Sequence, residues 1–180
     1  MACTSLVSLQ RACGAEGGMG GSEKLYMIAY NDLAVVTGTT VYTTSGSGVV
    51  NDIGLASGKT FVEIEGLPKT TGFNFEHVKN TATNSDYFNN TLPIVLGDLS
   101  AENSAFVDSI RNQPVVALIK TRTKKWFAIG LNGQFEESAT TGGSGVGLDD
   151  LNGYNVTFSG ADTLKPLQVD ETIIAGLIGA

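Results

Sequence analysis

The sequence predicts a mainly β protein, an antiparallel β-sandwich or barrel with one α-helix packed against it. Three observations lead there. Short stretches of alternating apolar and polar residues recur along the chain, punctuated by Gly, Asn and Pro. Helical spacing of apolar residues occurs convincingly once, at Ala101, Ala105, Phe106 and Ile110. The chain has 180 residues, 42% hydrophobic and 16% charged, enough for one domain with a real core.

Residues 1–22 read as an N-terminal arm. An apolar patch at Leu6, Val7 and Leu9 is followed by Gly14, Gly17, Gly18, Gly20 and Gly21, and so many glycines make the arm costly to order unless something packs against it. A single β domain then occupies 23–180. Lys24 to Tyr30 alternates as a strand, with Tyr26, Ile28 and Tyr30 on one face and Leu25, Met27 and Ala29 on the other. Asn31-Asp32 supplies a turn before Leu33 to Val36. A Thr-rich strand, Thr39 to Thr44, runs into the loop Ser45 to Gly48. Val49 to Leu55 and Phe61 to Glu65 are the next strands; in the second, Val62 and Ile64 face inward while Phe61, Glu63 and Glu65 share the opposite face. Phe73 to Asn80 and Asp86 to Leu96 follow, and Pro93 in the latter argues for an edge or a bulge because it cannot donate to a ladder.

Ser100 is the N-cap of the helix, which ends near Arg111-Asn112 because Pro114 disfavours helical geometry at Gln113. The best-formed sheet comes next. Val115 to Ile119 is an apolar run, Lys120 to Lys125 a basic turn and Trp126 to Leu131 the returning strand. Asn132-Gly133 predicts a tight type I′ reversal. A Gly-rich loop, Gly142 to Gly153, leads to the strand Tyr154 to Phe158. The tail from Thr163 adds one more strand over Val169 to Ile174, or lies against a neighbour.

Acidic residues outnumber basic ones by 18 to 11, a formal net charge of -7. Such a surface repels phosphates and does not grip DNA. The sequence lacks a run of about 18 apolar residues, so no membrane helix is expected. No basic stretch followed by an apolar one opens the chain, and synthesis and assembly in a cytoplasm are the expectation. Cys3 and Cys13 are expected to be free thiols, too close to the N-terminus to staple the body of the fold.

Motifs for chemistry are incomplete. Gly58-Lys59-Thr60 resembles the end of a phosphate loop, but Gly54 leaves one residue too few and Phe61-Val62-Glu63-Ile64 follows as a strand, not a helix. Gly142 to Gly147 fits neither a dinucleotide fingerprint nor a nucleophile elbow. His77, the only histidine, reads as a half-exposed strand residue, and Asp98, Glu102, Glu136-Glu137 and Asp149-Asp150 match no calcium loop. The expectation is no enzyme activity, no cofactor and no metal. Trp126, beside Arg122, Lys124 and Lys125, is either an anchor at a partner interface or a strand residue covering the sheet.

The N-terminal Ser5-Leu6 to Cys13-Gly14, the strand Lys24-Leu25-Tyr26-Met27-Ile28, and above all Phe127 to Gly133 followed by Asp150 to Tyr154 resemble structural proteins of tailed bacteriophages, in particular tail tube proteins of phages infecting Bacteroidetes-type hosts. The resemblance implies a virion protein that self-assembles into hexameric rings, which stack into a tube through which DNA passes without specific binding. It also implies contacts with other tail or head-tail connector proteins. For the subunit interface the expected residues are Leu6, Val7 and Leu9 of the arm, Arg122, Lys124, Lys125 and Trp126 at the basic hairpin, and the loop Thr37 to Val50. Two rivals are a connector-ring, tail-terminator or capsid decoration protein, and a carbohydrate- or receptor-binding module that clusters Tyr87, Phe88 and Trp126 on one exposed face.

Overall fold

A computed structural model of the chain describes residues 20–67, 69–147 and 149–179. In chain order the elements are β1 (Ser22–Ala29), a short 3-10 turn (Tyr30–Asp32), β2 (Tyr42–Thr44), β3 (Val50–Ile53), β4 (Val62–Glu63), β5 (Asn74–Asn80) and β6 (Ser85–Gly97). Then come α1 (Ala101–Ile110), β7 (Val115–Thr121), β8 (Trp126–Ile129), β9 (Glu136–Gly143), β10 (Gly153–Asp162), β11 (Leu167–Val169) and α2 (Glu171–Ile178). Cys3, Cys13, Leu6, Val7 and Leu9 lie outside the described residues.

The strands form two sheets, a seven-stranded one in the order β2-β3-β11-β8-β7-β1-β4 and a four-stranded one in the order β5-β6-β10-β9. They make a sandwich and do not close into a barrel. Pairing is antiparallel except where β11 meets β3 at Val169 and Val50.

β7 explains the layering. Its residues Val115 to Ile119 are all buried, so both faces of the strand are covered. Val115, Ala117 and Ile119 point into a core shared with the four-stranded sheet, where Leu92, Ile94, Leu96, Val156 and Phe158 meet them. Val116 and Leu118 point the other way, into a second core closed by Val50, Phe61, Ile174 and Leu177. An apolar run without alternation is what a doubly covered strand requires.

Local signals start and stop the helices. Asn103 N–H donates to Ser100 Oγ at 3.2 Å, the expected N-cap of α1. Asp170 caps α2 by accepting from Thr172 N–H at 3.0 Å. At its other end Gly179 takes φ +71° and donates to the Ala175 carbonyl, the left-handed stop that glycine supplies. This second helix departs from the expectation that the tail would add a strand over Val169 to Ile174; β11 ends at Val169 because Asp170 starts the helix.

Three further expectations are corrected by the structure. Leu131 and Asn132, the central residues of the turn closed by Gly133 N–H on the Gly130 carbonyl (3.0 Å), both lack the positive φ that a type I′ turn needs. The turn also does not join two strands of one sheet: β8 lies in the large sheet and β9 in the small one, so here the chain crosses the sandwich. Pro93 sits in β6, an interior strand, yet its ring is accommodated as an edge residue would be. Residues 92, 94 and 96 bond to β10, whereas the Val95 carbonyl faces the opposite side and accepts from Leu67 N–H at 2.7 Å. Pro93 shares that side, and β5 pairs no further along β6 than Thr91, so no ladder bond is lost. Finally, Phe61 is buried under α2 while Val62 is 62% exposed, the reverse of the expected order.

Candidate assembly surface

The basic hairpin forms as expected, with Ala117, Leu118, Ile119 and Lys120 of β7 paired to Ile129, Ala128, Phe127 and Trp126 of β8. Its residues part company at the tip. Lys124 adopts φ +65° in the turn and, like Lys125, is exposed, while Arg122 is half-buried and donates its backbone N–H to the Gly21 carbonyl at 3.3 Å. Lys124 Nζ bonds both carboxylate oxygens of Glu23, at 2.6 and 2.8 Å. That hydrogen bond holds the Glu23 carboxyl below its usual range, with the charges of Lys124, Lys120 and Lys24 adding to it.

Trp126 is not available as an interface anchor in the folded chain. Its ring is buried in the second core, 5.9 Å between centroids from Tyr26, with Lys120 Nζ 5.3 Å above it. The reason is register: Trp126 pairs with Lys120 on one side and Val169 on the other, and points beneath α2. Of the two readings of this residue, the structure realises the strand residue that covers the sheet. Its Nε1 is buried without an acceptor.

The other candidates separate in the same way. Residues 37–50 are closed by their own turns, Thr40 N–H to the Thr37 carbonyl (3.0 Å) and Gly48 N–H to the Ser45 carbonyl (2.9 Å), and they carry β2, the outermost strand of the large sheet. Gly58-Lys59-Thr60 is a turn, with Lys59 paired to Asp32 at 3.1 Å, and a strand follows it. His77 lies on β5, half-exposed, its Nε2 2.6 Å from Asp86 Oδ1. Tyr87 and Phe88 are consecutive on β6 and point to opposite faces, so with Trp126 buried the three aromatics form no exposed platform. Among the described residues no three His, Cys, Asp or Glu side chains gather closely enough to hold a metal ion.

A surface that sequence reasoning did not single out is the four-stranded sheet itself. Its inward positions, Leu92, Ile94, Leu96, Val156 and Phe158, are core. Register places Asn74, Glu76 and Val78 of β5, Thr91 and Val95 of β6, Asn155, Thr157 and Ser159 of β10, and Glu136, Ala139 and Thr141 of β9 on the opposite face. Glu76 and Glu136 are charged there, and no Lys or Arg stands on these outward positions. Both outer strands, β5 and β9, have one unpaired edge among the described residues. Beyond the end of β10 opposite Phe88, the β5–β6 ribbon continues alone; short of that end, Phe75, paired with Asn90, is 50% exposed at 6.2 Å from Phe88, centroid to centroid. The sequence signal for this face was present in the Thr, Ser and Asn at alternate positions, but only the register shows that they line up across four strands.

At the far end of this sheet the Gly-rich loop is held by one carboxylate. Asp150 Oδ2 accepts from Gly147 N–H at 2.7 Å and Val146 N–H at 2.9 Å, and these two bonds lower its pKa. Comparison with protein-family models, with curated proteins and with solved structures finds no match to this chain.

Proposed function

We propose that the protein is a structural subunit that assembles with copies of itself into rings, of the tail tube type that its sequence resembles. The observation that carries this reading is the four-stranded sheet with two unpaired edges and an outward face free of cations. Unpaired edges are a hazard in an isolated chain, and pairing β5 of one copy with β9 of the next removes it. A ring closed in this way turns the polar face of each sheet toward a common passage. With Glu76 and Glu136 as its charges, that lining does not hold phosphates, so DNA moves through without being bound.

The partners in this reading are further copies of the chain, in rings that are hexameric in the family resembled, and connector proteins at the tube's end. Negative-stain imaging of the purified protein tests it. Rings that stack into hollow tubes are the expected result. Single rings that never stack would favour a connector, terminator or decoration role, and monomers at every concentration would overturn the proposal.

A further inference from the structure

The tripeptide Leu-Asn-Gly occurs twice, at Leu131-Asn132-Gly133 and at Leu151-Asn152-Gly153. Asparagine before glycine is the pairing most prone to deamidation, because no side chain on the following residue shields its backbone nitrogen. In that reaction the nitrogen bonds to the asparagine Cγ, and the carboxamide nitrogen leaves as ammonia. Water then opens the cyclic imide to aspartate or isoaspartate, and nothing is oxidised or reduced. Identical local sequence makes the two sites intrinsically alike, so a difference between them comes from the fold.

At Asn132 every reacting group is engaged. Nδ2 donates to the Ala161 carbonyl at 3.0 Å, Oδ1 accepts from Gln134 N–H at 3.1 Å, and Gly133 N–H donates to the Gly130 carbonyl at 3.0 Å. These bonds must break before the Gly133 nitrogen can reach Cγ. Asn152 is exposed, as Asn132 is, yet its carboxamide meets no hydrogen-bond partner among the described residues. Its backbone carbonyl accepts from Asp98 N–H at 2.7 Å. Gly153 opens β10 at the last rung shared with Gly97 and Gly143, and strand ends are where a sheet opens most readily. Glycine is also obligatory at that position, since a Cβ on it would overlap the Leu96 carbonyl oxygen. Packing thus imposes the reactive pairing at a place where the carboxamide is unrestrained.

We propose that Asn152 is a self-modification site, converting to aspartate and isoaspartate in the folded protein while Asn132 stays intact. In the isoaspartyl form the main chain runs through the former side chain. The carbonyl that accepted from Asp98 N–H becomes a free carboxylate, and that link between β6 and β10 is lost. The site is a slow, irreversible release for this end of the small sheet. The inference does not depend on ring assembly.

Peptide mapping by mass spectrometry tests it, on the full chain kept in warm, mildly alkaline buffer either native or unfolded in urea. In the native chain, conversion at Asn152 is expected to run about tenfold faster than at Asn132, and in urea the two rates should converge. Asn152→Gln is expected to abolish the mass change at that site and leave Asn132 as slow as before. Matching rates in the native chain, or faster loss at Asn132, would overturn the proposal. So would a native chain in which neither site converts while both do so in urea, because the strand end would then protect Gly153. A gap that persists in urea would overturn it as well, since the fold would not be its cause.

Discussion

Lys124 Nζ lies within hydrogen-bonding distance of both carboxylate oxygens of Glu23, so the tip of the β7–β8 hairpin is fastened to the start of β1 in its own chain. A cation engaged in this way has less to offer a neighbouring subunit. Lys125 and Arg122 form no ion pair among the described residues and remain the tip's charges for an acidic partner. Arg122→Glu/Lys125→Glu is expected to abolish ring and tube formation on negative-stain grids, whereas Lys124→Ala leaves it intact. Tubes of normal length from the double reversal would remove the tip from the interface. The Glu23 side of the pair has a defined pH sense: its carboxyl is depressed, so the contact is present above the ordinary glutamate value and is lost as pH falls through the depressed one.

Trp126 gives a stability prediction with its own optical readout, because it is the only tryptophan. Trp126→Ala empties a buried ring site between Tyr26 and the Lys120 stem and is expected to cost about 3–5 kcal/mol in denaturant unfolding. Trp126→Phe keeps most of the apolar contact and removes an Nε1–H that is buried without an acceptor. The two effects oppose one another, and a loss of under about 1.5 kcal/mol is expected. In the wild type, the emission maximum should shift to the red only on global unfolding. A shift on assembly instead would mean that the ring reaches the surface.

The contrast between these residues shows where the sequence was readable. Strand periodicity placed Leu25 and Met27 on one face of β1 and Tyr26 and Ile28 on the other, and the two cores divide them in that way. Ser100 and Pro114 bounded α1 because capping and proline sterics act within a few residues. Which side of a sheet becomes covered is a different matter. Val62 and Phe61 alternate correctly, but α2 covers Phe61 and nothing in the described structure covers Val62, an outcome decided by a helix more than a hundred residues later. That helix was itself missed: Asp170 and Gly179 signalled both of its ends, but Val169, Ile173 and Ile174 are β-branched, and Gly176 interrupts its middle. The open sheet face was hidden for the same reason, since register between β6 and β10 is fixed by residues some 60 positions apart.

Two glycines separate crowding from conformational entropy. A Cβ at Gly160 would overlap the Gln134 carbonyl oxygen and crowd Phe135 Cα where the chain turns into β9, whereas one at Gly176 in α2 meets nothing within 4 Å. Gly160→Ala is therefore expected to destabilise by about 1–3 kcal/mol, and Gly176→Ala to stabilise by about 0.5–1 kcal/mol through helix propensity. Thermal or denaturant unfolding of the two variants checks the pair. A stabilised Gly160→Ala would mean that β9 can move away from β10 at no cost.

Asp150 makes the loop between β9 and β10 sensitive to acid. The N–H groups of Gly147 and Val146 donate to Oδ2 and stabilise the charged carboxylate, lowering its pKa from the ordinary 3.8. A depressed acid contributes order that is fully present above its ordinary value and fades as pH falls through the depressed one, so the loop is held throughout the neutral range and released only in strong acid. The Val146 and Gly147 amide shifts should titrate together with a midpoint below 3.8, and Asp150→Ala should accelerate exchange of both amides at neutral pH while leaving Phe158 and its neighbours in β10 protected. A midpoint at or above the ordinary aspartate value would show that the two N–H bonds do not hold in solution. Loss of protection along β10 would show instead that Asp150 supports the sheet, because Asp98 N–H donates to the Asn152 carbonyl at 2.7 Å just beyond the loop and would open with it.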